Sequence, residues 1–399
     1  MGKLTVDDIN YRGKRVLVRV DFNVPLDEGL SVADDYRIKS ALPTINKLIS
    51  DGGRVILMSH LGRPKGKRVE RLSLHPVKKR LEQLLGRGVV FTDECIGEET
   101  KSRAFDLADG DVMLIENLRF YLGEETNDRK FSKELAELGE LYVNDAFGTA
   151  HRAHASNVGV TEFFDIRAAG YLMRRELQFL REELSSPGKP FSVLLGGAKV
   201  SGKIDIVENL IGKMDNLVVG GGMAFTFLKA KGINTGRSLI EEGKIGLAAE
   251  ILDKLDRRGI PIYLPLDFIA AKECKEGVSF DTFKIADLPE DMMGLDIGPD
   301  TIEIFKDVIS KSKTVLWNGP MGVFEIDLFS RGTERIANLL SELTDRGVLT
   351  VAGGGDTASA LGKLGLRESF SHVSTGGGSS LELLAGKRLP AVEALSDRL

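Results

Sequence analysis

The sequence predicts an α/β protein of two similar-sized domains, each a parallel sheet with helices packed around it. Three observations carry this. The chain has 399 residues, more than one ordinary hydrophobic core accommodates. Short runs rich in β-branched residues alternate with segments of helical periodicity along its whole length. Four glycine tracts, Gly196-Gly197, Gly220-Gly221-Gly222, Gly353-Gly354-Gly355 and Gly376-Gly377-Gly378, each follow a strand-like run and precede a helix-like one. That order exposes backbone N–H groups at a helix N-terminus, where anions bind.

In the first half the strand-like runs are 15–20 (RVLVRV), 54–59 (RVILMS), 112–117 (VMLIEN) and 141–145 (LYVND). Helical segments such as RIKSALPTINKLISDG and HPVKKRLEQLLG separate most of them. The second half repeats the rhythm with FSVLLG, NLVVGGG, PIYLPLDF, TVLWNGP, VLTVAGGG and HVSTGGG. Between the halves, Leu172, Met173, Leu177, Leu180 and Leu184 recur at helical spacing, and Ser185-Ser186-Pro187-Gly188 ends the pattern. A connecting helix with a domain boundary near 170–188 follows.

Composition narrows the function. The net charge of −5 leaves no excess of cations for general nucleic-acid binding. Two cysteines, Cys95 and Cys274, cannot build a zinc site or a disulfide framework and suit a reducing compartment. The first ten residues lack the apolar core of a signal peptide, and no apolar run approaches the ~20 residues of a spanning helix. A cytoplasmic enzyme is expected.

Ligands of parallel sheets sit beyond the carboxyl ends of the strands. In the first half those positions hold Asp21 and Asn23, His60 and Arg63, Arg119, and His151, Arg152 and His154, with Arg37 soon after the first strand. An acidic chain that gathers arginines there is collecting a small, highly charged anion, because the guanidinium fork matches carboxylate and phosphate. Taken alone, His151 and His154 read as structural hydrogen-bonding groups.

In the second half, Gly197 to Lys203 nearly forms a phosphate-binding loop of the G-x-x-x-x-G-K type, but Ile204 replaces the Ser or Thr that would ligate Mg²⁺. Lys199 and Lys203 are four apart at an expected helix start, hence on one helix face. Asp356 and Thr357 open another helix, where the acid is either an N-cap or a Mg²⁺ partner. Asn318 and Glu325 follow a further strand, and a carboxylate there can bind ribose. Ile204 argues against a P-loop hydrolase. No G-x-G-x-x-G with an acid ~20 residues on supports a nicotinamide enzyme, and a non-catalytic binding protein does not need Arg37, Lys199 and Asp356 together.

The segments RVDFNVP, SHLGRP, LRF, NDAFGTAHRAHAS, LLGGAKVSGKI, VVGGGMAFTFL, MGLDIGP, LWNGPMGVFE, AGGGDT and STGGG, in that order from about residue 15 to 380, together resemble the phosphoglycerate kinase family. The resemblance implies two Rossmann-like domains around a cleft. An N-terminal domain (1–169) would bind 3-phosphoglycerate or 1,3-bisphosphoglycerate through Asp21, Asn23, Arg37, His60, Arg63, Arg119 and Arg152. The connecting helix and hinge would span 170–187. A C-terminal domain (188–387) would bind ATP or ADP with Mg²⁺, and residues 388–399 would pack back on the first domain. Lys199 and Lys203 would take phosphates and Glu325 the ribose. Gly354, Gly355, Asp356 and Thr357 would form the phosphate and metal corner, with Asp356 towards Mg²⁺, and Asn318 would also belong to the nucleotide site. Gly220, Gly221, Met293 and Leu295 would surround adenine.

The acceptor carboxylate is ionised at neutral pH, so no general base is expected. Catalysis then reduces to positioning and charge stabilisation, assigned to Arg37, Lys199 and the backbone N–H groups of Gly355 and Gly377. A monomer that closes its domains to exclude water is implied. Gly202 and Met292 depart from the family's commoner acidic and aromatic residues.

Overall fold

The computed structural model describes residues 2–398. The chain divides into two compact units: residues up to Gln178 together with those from Arg388 onward, and Phe179 to Lys387.

The first unit holds β1 (Arg15–Val20), β2 (Arg54–Met58), β3 (Val90–Thr92), β4 (Val112–Ile115), β5 (Leu141–Asp145) and β6 (Arg167–Ala169). They form one six-stranded sheet in the order β3-β4-β2-β1-β5-β6, with every pairing parallel. Helices cover the sheet, so its strands read as almost unbroken apolar runs. Val16, Val18 and Val20 of β1 pack against Ile38, Ala41, Ile45 and Leu48 of the helix Tyr36–Ser50. That helix buries residues at spacings of three and four, the pattern visible in the sequence. Arg19 breaks the rule: it lies inside β1 and is fully buried. The C-terminal segment joins this unit through an antiparallel bridge between Lys3 and Asp397, and through the Leu4 N–H donating to the Ser396 carbonyl at 2.8 Å.

The second unit holds β7 (Phe191–Leu195), β8 (Asn216–Val219), β9 (Ile262–Tyr263), β10 (Asp267–Ala271), β11 (Phe280–Lys284), β12 (Met293–Ile297), β13 (Thr314–Asn318), β14 (Leu349–Gly353) and β15 (His372–Val373). Six of these form a parallel sheet ordered β15-β14-β13-β7-β8-β9. The two parallel six-stranded sheets meet the fold expectation. β10, β11 and β12 form a separate antiparallel sheet that the sequence reading lacked. The run PIYLPLDF (261–268), read as one strand, is split between the two sheets. Pro265 has no N–H to continue a ladder. Past it, the Asp267 side chain turns to the next helix, accepting hydrogen bonds from the Asp300 and Thr301 N–H groups at 3.0 and 2.9 Å.

The connecting segment is α-helical over Tyr171–Leu177, π-helical over Gln178–Glu182 and 3-10 over Glu183–Ser185. Leu177, Leu180 and Leu184 are buried, as their spacing predicts. Among the described residues no helix is long and apolar enough to cross a membrane.

Candidate active site

In the first unit the sheet order sets β4, β2, β1 and β5 side by side, so their carboxyl ends share one edge. Asp21 directly follows β1, and its Oδ2 pairs with Arg37 Nη1 at 2.9 Å. The same Nη1 donates to the Asn23 carbonyl at 3.3 Å. Asn23 reaches to the loop after β2, where its Oδ1 accepts the Gly62 N–H at 2.9 Å. Arg119 returns to that loop and donates from Nη1 to the Gly62 carbonyl at 2.8 Å. Asp21, Asn23, Arg37, His60 and Arg119 are therefore one connected cluster. Arg152 is half-buried and donates from Nε to His151 Nε2 at 3.2 Å. Arg63 is exposed, with no partner among the described residues.

The electrostatics show how tightly the cations gather. His60 is buried, and its pKa is pushed well below the usual imidazole range. Burial is the main cause, followed by the charges of Arg19, Arg119, Arg37 and Arg152. His154 falls to about 3 for the same reasons, burial first, then Arg119, Arg19 and Arg152. Both rings are neutral at physiological pH. The cluster concentrates positive charge on the arginines and keeps the histidines as hydrogen-bonding groups. Burial lowers the pKa of Arg119 as well.

Sequence reasoning missed three members of this network. Arg19 donates from Nε to Ser156 Oγ at 2.7 Å, and its Nη2 lies 3.2 Å from His60 Nδ1. A guanidinium only donates, so His60 Nδ1 accepts and the ring carries its proton on Nε2. Glu124, also buried, accepts from the Ser156 N–H and Oγ at 2.9 and 2.6 Å. The available signal was a charged residue inside the otherwise apolar strand RVLVRV.

In the second unit the glycine tracts divide into two kinds. Those after β7 and β8 are consumed by packing. The Gly197 N–H donates to the Pro320 carbonyl at 2.7 Å, the Gly221 N–H to Met321 at 2.9 Å and the Gly220 N–H to Leu195 at 2.8 Å. A Cβ on Gly196 would lie 2.2 Å from the Pro320 oxygen. On Gly221, where φ is +62°, it would lie 2.5 Å from the Gly197 nitrogen. The tract after β8 also caps a helix, Met223–Ala230, but the Met223 N–H is taken by the Gly197 carbonyl at 2.9 Å. The tracts after β14 and β15 enter their helices directly: Gly355 begins Gly355–Lys363 and Gly377 begins Gly377–Leu384. A Cβ on Gly377 would stand 3.7 Å from the Gly355 nitrogen, so the two N-termini converge. Asn318 lies against this corner. A Cβ on Gly354 would be 3.3 Å from its amide atoms, and its buried Nδ2 has no hydrogen-bond partner. Thr357 Oγ1 accepts the Gly319 N–H at 2.7 Å.

Two expectations are corrected here. Lys199 and Lys203 do not share a helix face, because the helix spans Ile204–Leu210 and both precede it. Residues 197–200 are irregular and 201–203 form a turn, with Gly197 anchored to the Pro320 carbonyl at the start of the segment. Lys199 is exposed, whereas Lys203 folds back and donates to the Gly196 carbonyl. Burial depresses the Lys203 pKa to about 8, partly opposed by the charge of Asp356. Asp356 is not an N-cap. Gly354 occupies that position, and Asp356 is exposed in the first turn.

Gly221, Met293 and Leu295 line a cavity of about 350 Å³ together with Phe225, Phe268 and Val323. Gly220 abuts Met321, which also lines it. Glu325 is exposed two residues beyond Val323 and is not part of the lining. Met292 packs in the cluster of Phe225, Leu228 and Phe268, and Gly202 is exposed with open space around it. A larger cavity, about 460 Å³, lies at the opposite end of the sheet beside Pro190 and Asn216, away from the strand ends that carry this chemistry.

A family model described as phosphoglycerate kinase matches residues 6–387. The chain belongs to the phosphoglycerate kinase family. It is 53% identical over 397 residues to the phosphoglycerate kinase of Chloroherpeton thalassium, with 100% of each chain covered. It is 52% identical to that of Chlorobaculum tepidum over the same length, again with 100% of each covered. Among solved structures it resembles phosphoglycerate kinase from Coxiella burnetii (39% identity, TM-score 0.87) and from Pyrococcus horikoshii (30% identity, TM-score 0.85), with 98% of each chain covered in both cases. The family's glycolytic reaction, reversible phosphoryl transfer from 1,3-bisphosphoglycerate to ADP giving 3-phosphoglycerate and ATP, is the reaction this chain catalyses.

Proposed function

We propose that the two units divide this reaction by charge. The first unit binds the triose through Asp21, Asn23, Arg37, His60, Arg63, Arg119 and Arg152. The second binds the nucleotide through Lys199, Lys203, Asn318, Glu325, Gly354, Gly355, Asp356 and Thr357, with the base near Gly220, Gly221, Met293 and Leu295. The observation that supports this reading most strongly is the field of four arginines on buried His60. A site that keeps its histidines neutral and its arginines charged suits a ligand bearing a carboxylate and a phosphate.

In the direction of ATP synthesis, a β-phosphate oxygen of ADP attacks the acyl phosphorus. The bond to the carboxyl oxygen breaks, and 3-phosphoglycerate leaves as a carboxylate. No proton moves, so no general base is required. In-line transfer between two anions needs cations and donors around the moving group. Arg37 and Lys199 supply charge, and the converging helix N-termini at Gly355 and Gly377 supply N–H groups. The units close on their substrates and exclude water before transfer.

Asp356 would hold the Mg²⁺ that accompanies the nucleotide, and the ion would supply positive charge to its phosphates. Among the described residues no group of three His, Cys, Asp or Glu could hold a metal alone. That fits an ion bound by one carboxylate, Asp356, plus phosphates and water. Under this reading the enzyme is a cytoplasmic monomer. The test is a coupled assay of ATP consumption with and without 3-phosphoglycerate and Mg²⁺. Consumption that needs both supports the proposal, and hydrolysis without the triose counts against it.

A further inference from the structure

The cavity assigned above to the base has an unusual polar lining. Its described lining residues are glycines, apolar side chains, Cys274, Asp296 and Arg237. Asp296 is spent: it is 2% exposed, and its two oxygens accept the Ile297 and Gly332 N–H groups at 2.9 and 2.6 Å. Phe225 and Phe268, stacked with centroids 4.4 Å apart, present hydrocarbon only. Arg237 is therefore the one side chain in this lining that carries N–H donors.

Arg237 is also held in place from below. Its own N–H donates to the Met292 carbonyl at 2.8 Å, and the Gly294 N–H donates to Ser238 Oγ at 2.9 Å. Gly236, at φ +53°, lets this turn approach the Met292 carbonyl so closely that a Cβ would sit 2.4 Å from it. The loop is thus clamped to the start of β12, whose Met293 and Leu295 line the same cavity. No carboxylate pairs directly with the guanidinium among the described residues. Glu273 and Asp291, which feel its charge, are held by Lys275 and Lys272. An exposed guanidinium on a fixed turn at the mouth of an apolar cavity is placed for a ligand.

We propose that Arg237 reads the base of the bound nucleotide, donating hydrogen bonds to acceptor atoms on the purine edge. This rests on the nucleotide reading of the second unit. A donor-only side chain gains a contact with the O6 of a 6-oxopurine that the amino group of adenine cannot offer. Arg237 therefore biases the enzyme towards guanine nucleotides relative to a site without it.

Initial rates with MgATP and with MgGTP, at saturating 3-phosphoglycerate, test this on the wild type and on Arg237→Ala and Arg237→Met. Methionine keeps an apolar stem and removes the donors. Both variants are expected to raise KM for GTP about fivefold or more and KM for ATP less than about twofold, with kcat little changed. An unchanged ratio of the two KM values, or a wild type that turns over ATP but not GTP, overturns the inference and leaves the kinase reading intact. A wild type without triose-dependent ATP turnover overturns both.

Discussion

On the proposed division of the reaction, the two units solve the same problem, holding an anion, by opposite means. The first builds its site from buried side chains that support one another. Arg37 leans on Asp21, Arg119 on the Gly62 carbonyl, and His60 on Arg19. The second builds from backbone, with two converging helix N-termini, one retracted lysine and an exposed carboxylate. The difference suits the ligands proposed for each unit. A small triose offers chiefly its charges to grip, whereas a nucleotide would bring Mg²⁺ and a base that a separate cavity could hold. A site made of side chains is legible as residue types, and a site made of backbone is legible only as glycines.

The largest effect expected is on kcat, for which the proposed mechanism draws one cation from each unit. Arg37→Ala and Lys199→Ala should each lower kcat by about 10²-fold or more, with modest change in nucleotide KM. Steady-state kinetics with near-normal kcat in both would break the assignment.

The next prediction separates the two kinds of glycine. Gly221→Ala should cost the second unit about 3 kcal/mol or more, because φ is +62° and the Cβ meets the Gly197 backbone. Gly355→Ala meets nothing within 4 Å and should leave denaturation almost unchanged. Equal losses in urea unfolding would erase the distinction.

A smaller effect concerns pH. Burial sets the Lys203 pKa near 8 in the free enzyme, and phosphate binding favours the charged form. The charge is present below that value and lost above it. Nucleotide KM should therefore climb as pH rises through about 8, by up to about tenfold per unit beyond it. Lys203→Met, which lacks the charge throughout, should bind weakly with a flat profile. A flat wild-type profile from pH 7 to 9 would show that Lys203 does not serve the phosphates.

The smallest effect is at Gly202, where a Cβ has open space. Gly202→Asp should shift nucleotide KM by less than about threefold and leave stability unchanged.

This contrast also explains what the sequence could reveal. Strand runs buried on both sides, such as VMLI and FSVLL, are unmistakable because parallel sheets demand continuous apolar residues. Polar residues immediately past them named most of the first-unit cluster. The antiparallel sheet was invisible because β11 (FDTFK) is largely exposed and carries no apolar periodicity. Arg19 was hidden by its position inside a strand. The glycine tracts announced themselves, yet nothing local distinguishes a glycine that admits another loop from one that opens a helix to a ligand. That depends on what Gly319-Pro320 does from more than 100 residues away. The same distant contact anchors Gly197, and the helix begins only at Ile204, past both Lys199 and Lys203.

The division of labour is tested most directly at Arg63, which is exposed and supports nothing else among the described residues. Calorimetric titration of wild type and Arg63→Ala with 3-phosphoglycerate and with MgADP, each alone, measures the two sites separately. The account predicts about tenfold or more weaker triose binding and an unchanged MgADP affinity. Intact triose binding, or an equal loss for both ligands, would contradict it.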